Sequence, residues 1–136
     1  MWTDDYINIP FKPDGRDKKG ADCYGLIYLV YKELLNIILP SYAGVFQEET
    51  YSNLKRVSKT MREERLKWQT VKEQKPFDVI LLREGEFTWH CGLVIDKNKM
   101  LHVAQGVNSC IEHYKSFMWK NKIDGFLRYE KHNSIA

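Results

Sequence analysis

An α+β domain, one helix followed by an antiparallel sheet, is what this sequence predicts. Two observations carry the prediction. Behind Asp22, apolar side chains recur near helical spacing: Leu26, Leu29, Val30, Leu34 and Ile37. From residue 78 onward the period changes to short apolar runs separated by turn residues. At 136 residues the chain is long enough to bury a real core, and residues 1–136 read as a single domain.

Residues 1–21 are polar and broken by Pro10, Pro13, Gly15 and Gly20, so they read as a loop-rich entry segment. Asp22 is placed to cap a helix over 23–38, which Pro40 would end. Residues 41–51 read as a loop. Over 52–69, many charges surround four sparse apolar anchors, Leu54, Val57, Met61 and Trp68. That pattern predicts a surface helix with one thin buried stripe and a solvated charged face.

The strand candidates are 78–82, 88–95, 99–104, 110–114 and 125–129. Asp96-Lys97-Asn98 reads as the turn between the second and third. A three-residue turn pairs Ile95 with Lys99, and therefore Gly92 with His102. His90 and His102 then share one face of the hairpin, one diagonal step apart. A two-residue turn would put them on opposite faces, so the pairing depends on register. Gly92, opposite His102, leaves room for its ring.

The net charge of +3 is mild, and Lys and Arg are spread along the chain rather than striped. No nucleic-acid partner is expected from it. No run is long enough to span a bilayer, so no membrane partner is expected either. No basic, apolar and small-residue succession opens the sequence, so synthesis in the cytoplasm without a secretory signal is the expectation. Cys23, Cys91 and Cys110 are far apart and odd in number, which points to reduced thiols rather than a disulfide framework. Cys91 and Cys110 read as small buried hydrophobes.

Cys23 is different. It stands in the first turn of the expected helix, where the positive end of the dipole favours a thiolate. Gly25 keeps that turn uncrowded. The bland reading is a core cysteine, and a lone strand histidine is usually a satisfied structural residue. Two histidines on one face, behind a capped cysteine, support a stronger reading. His90 takes the Cys23 proton, and His102 holds the His90 ring. Zinc is the rival reading. However, His90 and Cys91 are adjacent on a strand and point apart, and the paired ligand clusters of structural zinc sites are missing. No metal and no cofactor are expected.

Four blocks now resemble a known family. They are Gly20-Ala21-Asp22-Cys23-Tyr24-Gly25-Leu26, then Pro76-Phe77-Asp78-Val79-Ile80-Leu81-Leu82, then His90-Cys91-Gly92-Leu93-Val94-Ile95, then Met100-Leu101-His102-Val103-Ala104. In this order they look like the NlpC-type cell-wall peptidases, which have a minimal papain-like fold. The resemblance implies Cys23 as nucleophile, His90 as base and His102 as orienting residue. It implies hydrolysis of the γ-D-glutamyl bond to the diamino acid in peptidoglycan stem peptides. It also gives Asp22 the substrate's free amine to bind. Where the family commonly has Pro-Tyr, this chain has Pro10-Phe11 and lacks the hydroxyl. Where the family often has Ser after the nucleophile, this chain has Tyr24. Phe11, Asp22 and Tyr24 are therefore the expected substrate contacts. Tyr24, the opening Gly15-Arg16-Asp17 and the charged insertion over 45–75 look more like a bacteriophage-tail branch. That branch implies phage tail proteins as partners and a virion-associated enzyme acting at the cell wall. Two alternatives stand beside this reading. One is an amidase or acyltransferase with the same triad. The other is a non-enzymatic tail-assembly module.

Overall fold

The computed structural model describes residues 1–46 and 50–130. Part of the expected loop 41–51, residues 47–49, lies outside the described residues. The entry segment carries a single helical turn, Trp2–Tyr6, and a two-residue hairpin, β1 (Arg16–Asp17) with β2 (Gly20–Ala21). Helix α1 spans Cys23–Val30. Helix α2 spans Tyr51–Glu64, is capped by the Thr50 side chain and continues as one tighter turn, Arg65–Lys67. The remaining strands are β3 (Gln69–Thr70), β4 (Val79–Glu84), β5 (Phe87–Val94), β6 (Lys99–Ala104), β7 (Val107–His113) and β8 (Ile123–Arg128). They form one antiparallel six-stranded sheet in the order β3-β8-β4-β5-β6-β7.

The sheet is buried on both faces, which explains why its central strands read as nearly continuous apolar runs. On one face, Leu81, Cys91, Leu93, Leu101 and Val103 join Leu26, Leu29 and Val30 of α1 in the main core. On the other, Ile80, Leu82, Val94 and Met100 pack under Tyr114 and Trp119. Helix α2 lays Val57 and Met61 on the main core and leaves most of its charged residues outside, as the thin stripe predicted, but the largely buried Glu64 carboxylate accepts from Trp68 Nε1 at 2.7 Å. Among the described residues no helix is long and apolar enough to cross a membrane.

Two expectations for the first helix are corrected. Regular α-helix stops at Val30, and Tyr31–Leu35 form a π turn closed by Asn36 in the left-handed conformation (φ 58°). The stop is therefore Asn36, not Pro40. An extra residue in the wider turn rotates everything after it. Leu34, expected on the buried face, is consequently 43% exposed, while Leu35 and Ile37 pack partly against the core. Tyr31 takes the inner position, and its hydroxyl donates to the Phe77 carbonyl at 2.5 Å.

The hairpin that carries the two histidines has the register its turn length predicts. Leu93 pairs with Leu101 and Val94 with Met100. Ile95 donates its N–H to the Lys99 carbonyl at 2.9 Å, and the Asp96 carboxylate accepts the N–H groups of Asn98 and Lys99.

Candidate functional site

Cys23 is the first residue of α1. Asp22 ahead of it is extended, and its Oδ1 accepts the Gly25 N–H at 2.7 Å. Gly25 is required here for space: a Cβ at this position would lie 1.9 Å from the Gly15 carbonyl oxygen. The cap, the glycine and the Leu29 side of α1 together hold the thiol against the sheet. Cys23 is 8% exposed. It lines a narrow cavity with Asp22, Phe11, Trp89, His90 and Val57.

His90 and His102 meet as the register requires, with His90 Nε2 and His102 Nδ1 2.9 Å apart. A Cβ at position 92 would lie 3.4 Å from the His102 Cβ and closer still to Met100 and Ile80, so the glycine does make room. His90 is 1% exposed, lies against Trp89 at 5.0 Å and stacks on Trp119 at 5.7 Å. Burial, with a smaller contribution from His102, pushes its pKa down to about 3. Burial also lowers His102, against the opposing pull of Glu112. Both rings are therefore neutral near pH 7, the form in which a histidine acts as a base.

A bulge explains how His90 reaches the cavity. Leu82 pairs with His90 but Arg83 pairs with Thr88, leaving Trp89 as the extra residue. Cys91 and Leu93 face α1, whereas His90 and Gly92 lie on the Trp119 side. The bulge re-aims the start of β5, so that consecutive residues Trp89 and His90 line one cavity with Cys23. Among the described residues, Trp89 Nε1 is the buried side-chain N or O atom left without a hydrogen-bond partner.

The sequence reading missed several neighbours of the site. The Cys91 thiol neighbours Cys23, and this interaction and burial push its titration well up, so it stays protonated. Glu112 accepts at Oε2 from His102 Nε2 at 2.7 Å and from Trp119 Nε1 at 2.8 Å. Alternation along β7 could have flagged Glu112 once Cys110 was paired with His102. Helix α2 supplies one wall of the cavity through Asn53, Leu54 and Val57. Nothing in its charge pattern announced that.

The three expected substrate contacts fare differently. Phe11 lines the cavity, held by a backbone bridge to Ala21. Asp22 lines it too, but its carboxylate is 2% exposed and engaged within the fold. Oδ2 accepts from Arg16 Nη1 at 2.9 Å and from the Asp14 N–H at 2.8 Å. Burial raises its pKa in spite of Arg16. Tyr24 is not among the residues that line this cavity. Its ring stacks on Phe46 at 5.1 Å beneath the Arg16 guanidinium, and its hydroxyl donates to the Pro40 carbonyl. A residue next to the nucleophile on a helix points about 100° away from it, here into the core.

The described residues bring together one group of three metal-ligand types, His102, Cys110 and Glu112, with donor atoms within 4.8 Å of one another. The 2.7 Å contact between His102 Nε2 and Glu112 is a hydrogen-bond distance. It is shorter than the separation of two ligands around one tetrahedral zinc, roughly 3.3 Å for metal bonds of about 2 Å. The group is a hydrogen-bonded cluster in this structure.

A helix that begins with a thiol, packed on an antiparallel sheet that carries a histidine pair, defines a minimal papain-like α+β domain. The chain belongs to the NlpC/P60 family, whose model matches residues 8–128. It is 23% identical over 118 residues to an Escherichia coli K12 protein named murein DD-endopeptidase MepS/murein LD-carboxypeptidase. That match covers 87% of this chain and 54% of the relative, so the chain spans about half of the relative's length. Solved structures of the same fold include the NlpC/p60 domain of the peptidoglycan hydrolase SagA. Its TM-score is 0.60 at 19% identity, covering 90% of this chain and 88% of that one. NlpC1 from Trichomonas vaginalis is also similar, with a TM-score of 0.68 at 15% identity, covering 93% and 41%.

Proposed function

We propose that this chain is a cysteine peptidase that cleaves peptidoglycan stem peptides at the γ-D-glutamyl bond to the diamino acid. The observation that carries the proposal is the shared cavity. A helix-start thiol and a neutral histidine both line it, and the far nitrogen of that histidine is held by a second histidine. The names of the E. coli relative and of SagA support the polymer as substrate.

His90 Nε2 is engaged by His102, so Nδ1 is the nitrogen left to take the Cys23 proton. Among the described hydrogen bonds none joins Cys23 to His90, and catalytic contacts commonly tighten only when substrate binds. The thiolate attacks the scissile carbonyl, and the backbone N–H of Cys23 faces the developing oxyanion. Trp89, whose buried Nε1–H has no hydrogen-bond partner, also lines this cavity, and its N–H is assigned here as a second donor to the oxyanion. His90 then gives its proton to the leaving amine. A water deprotonated by His90 cleaves the thioester and frees Cys23.

Mass spectrometry of defined stem peptides, incubated with wild type and with Cys23→Ala, tests the reading. Cleavage at the γ-D-glutamyl bond by wild type alone is expected. Cleavage only at the bonds named for the E. coli relative would replace the bond assignment, and no cleavage would refute the peptidase. Asp22, already paired with Arg16, has one carboxylate shared between fold and substrate amine. N-acetylating the terminal L-Ala should therefore slow hydrolysis if that amine is read, and equal rates would favour the amidase reading. Action from a phage or prophage tail is the further part of the proposal. It rests on the resemblance of Gly15-Arg16-Asp17, Tyr24 and the charged insertion over 45–75, and is tested by antibody detection of the chain in purified virions.

A further inference from the structure

Two neutral imidazoles joined through His90 Nε2 and His102 Nδ1 share a single proton on that line. Two arrangements satisfy it. In the first, His90 Nε2–H donates to His102 Nδ1, His102 carries its single proton on Nε2, and His90 Nδ1 is bare. In the second every proton is reversed: His90 Nδ1 is protonated, and His102 Nε2 presents a lone pair outward. Only the first leaves His90 able to take a proton from Cys23. Nothing in the pair itself selects between them.

We propose that Glu112 makes the selection, as a positioning residue that sets the tautomer of both histidines from two rings away. Its Oε2 lies 2.7 Å from His102 Nε2. At that distance a carboxylate oxygen needs a donor, and the second arrangement would set lone pair against lone pair. The carboxylate is itself fixed. Trp119 Nε1–H donates to the same oxygen at 2.8 Å, while the indole stacks on His90 and meets His102 edge-on at 5.4 Å. Cys110, the other neighbour of His102 Nε2, is 3.9 Å away and is a weak partner. Strand register brings this about. His102 pairs with Cys110 across β6 and β7, and Glu112 stands two residues further along the same face. When His90 accepts the thiol proton, the resulting positive charge points down a line that ends on the Glu112 carboxylate.

The catalytic meaning of this role rests on the peptidase reading, whereas the tautomer does not, and the experiment separates them. Protein labelled with 15N-histidine is examined by long-range proton–nitrogen correlation near neutral pH, without substrate. Wild type should show His90 protonated on Nε2 and bare on Nδ1, with His102 protonated on Nε2. Glu112→Ala should lose that single pattern and slow iodoacetamide labelling of Cys23 by roughly 10- to 100-fold, as when a group holding the far nitrogen of a histidine is removed. Glu112→Gln, whose carbonyl oxygen accepts both donors, should keep the pattern. The reverse tautomers in wild type, or an unchanged pattern in Glu112→Ala, would overturn the proposal. The wild-type spectrum decides the matter even if a variant does not fold. The expected tautomers in a protein that cleaves no stem peptide would refute the peptidase and leave this assignment standing.

Discussion

His90 should make the fold sensitive to acid by an amount that can be calculated. Its folded pKa is about 3, while an unfolded histidine titrates near 6.5. Between those values the unfolded chain binds a proton that the folded chain refuses. Stability contributed by neutral His90 is therefore complete above about pH 6.5 and is lost as pH falls toward 3. At pH 4.5, two units below the unfolded value, the loss is about 2.7 kcal/mol, since each unit is worth about 1.36 kcal/mol. The cause is burial between two indoles, with His102 as the adjacent group and Glu112 beyond it. His102 adds a loss of the same sign. Denaturant unfolding followed by circular dichroism at pH 7 and 4.5 measures the difference, and His90→Gln removes its His90 part. Wild type should lose roughly 2–3 kcal/mol more than the variant over that interval. Equal losses would refute burial as the governing effect. So would a His90 ring proton titrating near pH 6.5 in the folded wild type.

Three further outcomes are expected. Iodoacetamide near neutral pH should label Cys23 before Cys91 and Cys110, because the interaction with Cys23 together with burial keeps Cys91 a thiol, and partial burial does the same for Cys110. Peptide mapping that finds either of them labelled first would sink Cys23 as the nucleophile. Leu29→Ala should cost about 2–5 kcal/mol in denaturant unfolding, as Leu29 is fully within the core between α1 and the sheet. A cost below about 0.5 kcal/mol would contradict that packing. Trp89→Phe keeps an aromatic ring beside His90 but removes the unpartnered N–H. It should lower kcat roughly 100-fold with KM little changed, as for loss of an oxyanion donor. An unchanged kcat would exclude the indole from that role.

Local chemistry was legible wherever a few neighbouring residues decide the outcome. Asp22, Cys23 and Gly25 announce a capped helix start because cap, thiol and close approach all fall within one turn. The shared face of His90 and His102 follows from a three-residue turn and a period of two. The alternating core residues of α1 up to Val30 follow from a period of 3.6. Beyond Val30 the same period misled, because a π turn changes the phase without a signal such as proline or glycine at its start.

What tertiary structure alone decided are the contacts between separate elements of the fold. Glu112 meets His102 because β7 returns beside β6, and Trp119 reaches both histidines from a loop beyond β7. Trp89 joins His90 in the Cys23 cavity through a bulge, which is a property of two paired strands rather than of one. Arg16 crosses to Asp22 from a hairpin, and α2 closes the cavity from an insertion that reads only as a charged surface helix. The physical reason is common to all five. A backbone period or a cap is a free-energy preference within a few residues, but a tautomer, an orphaned donor or a buried ion pair exists only once the packed chain has removed water from around it.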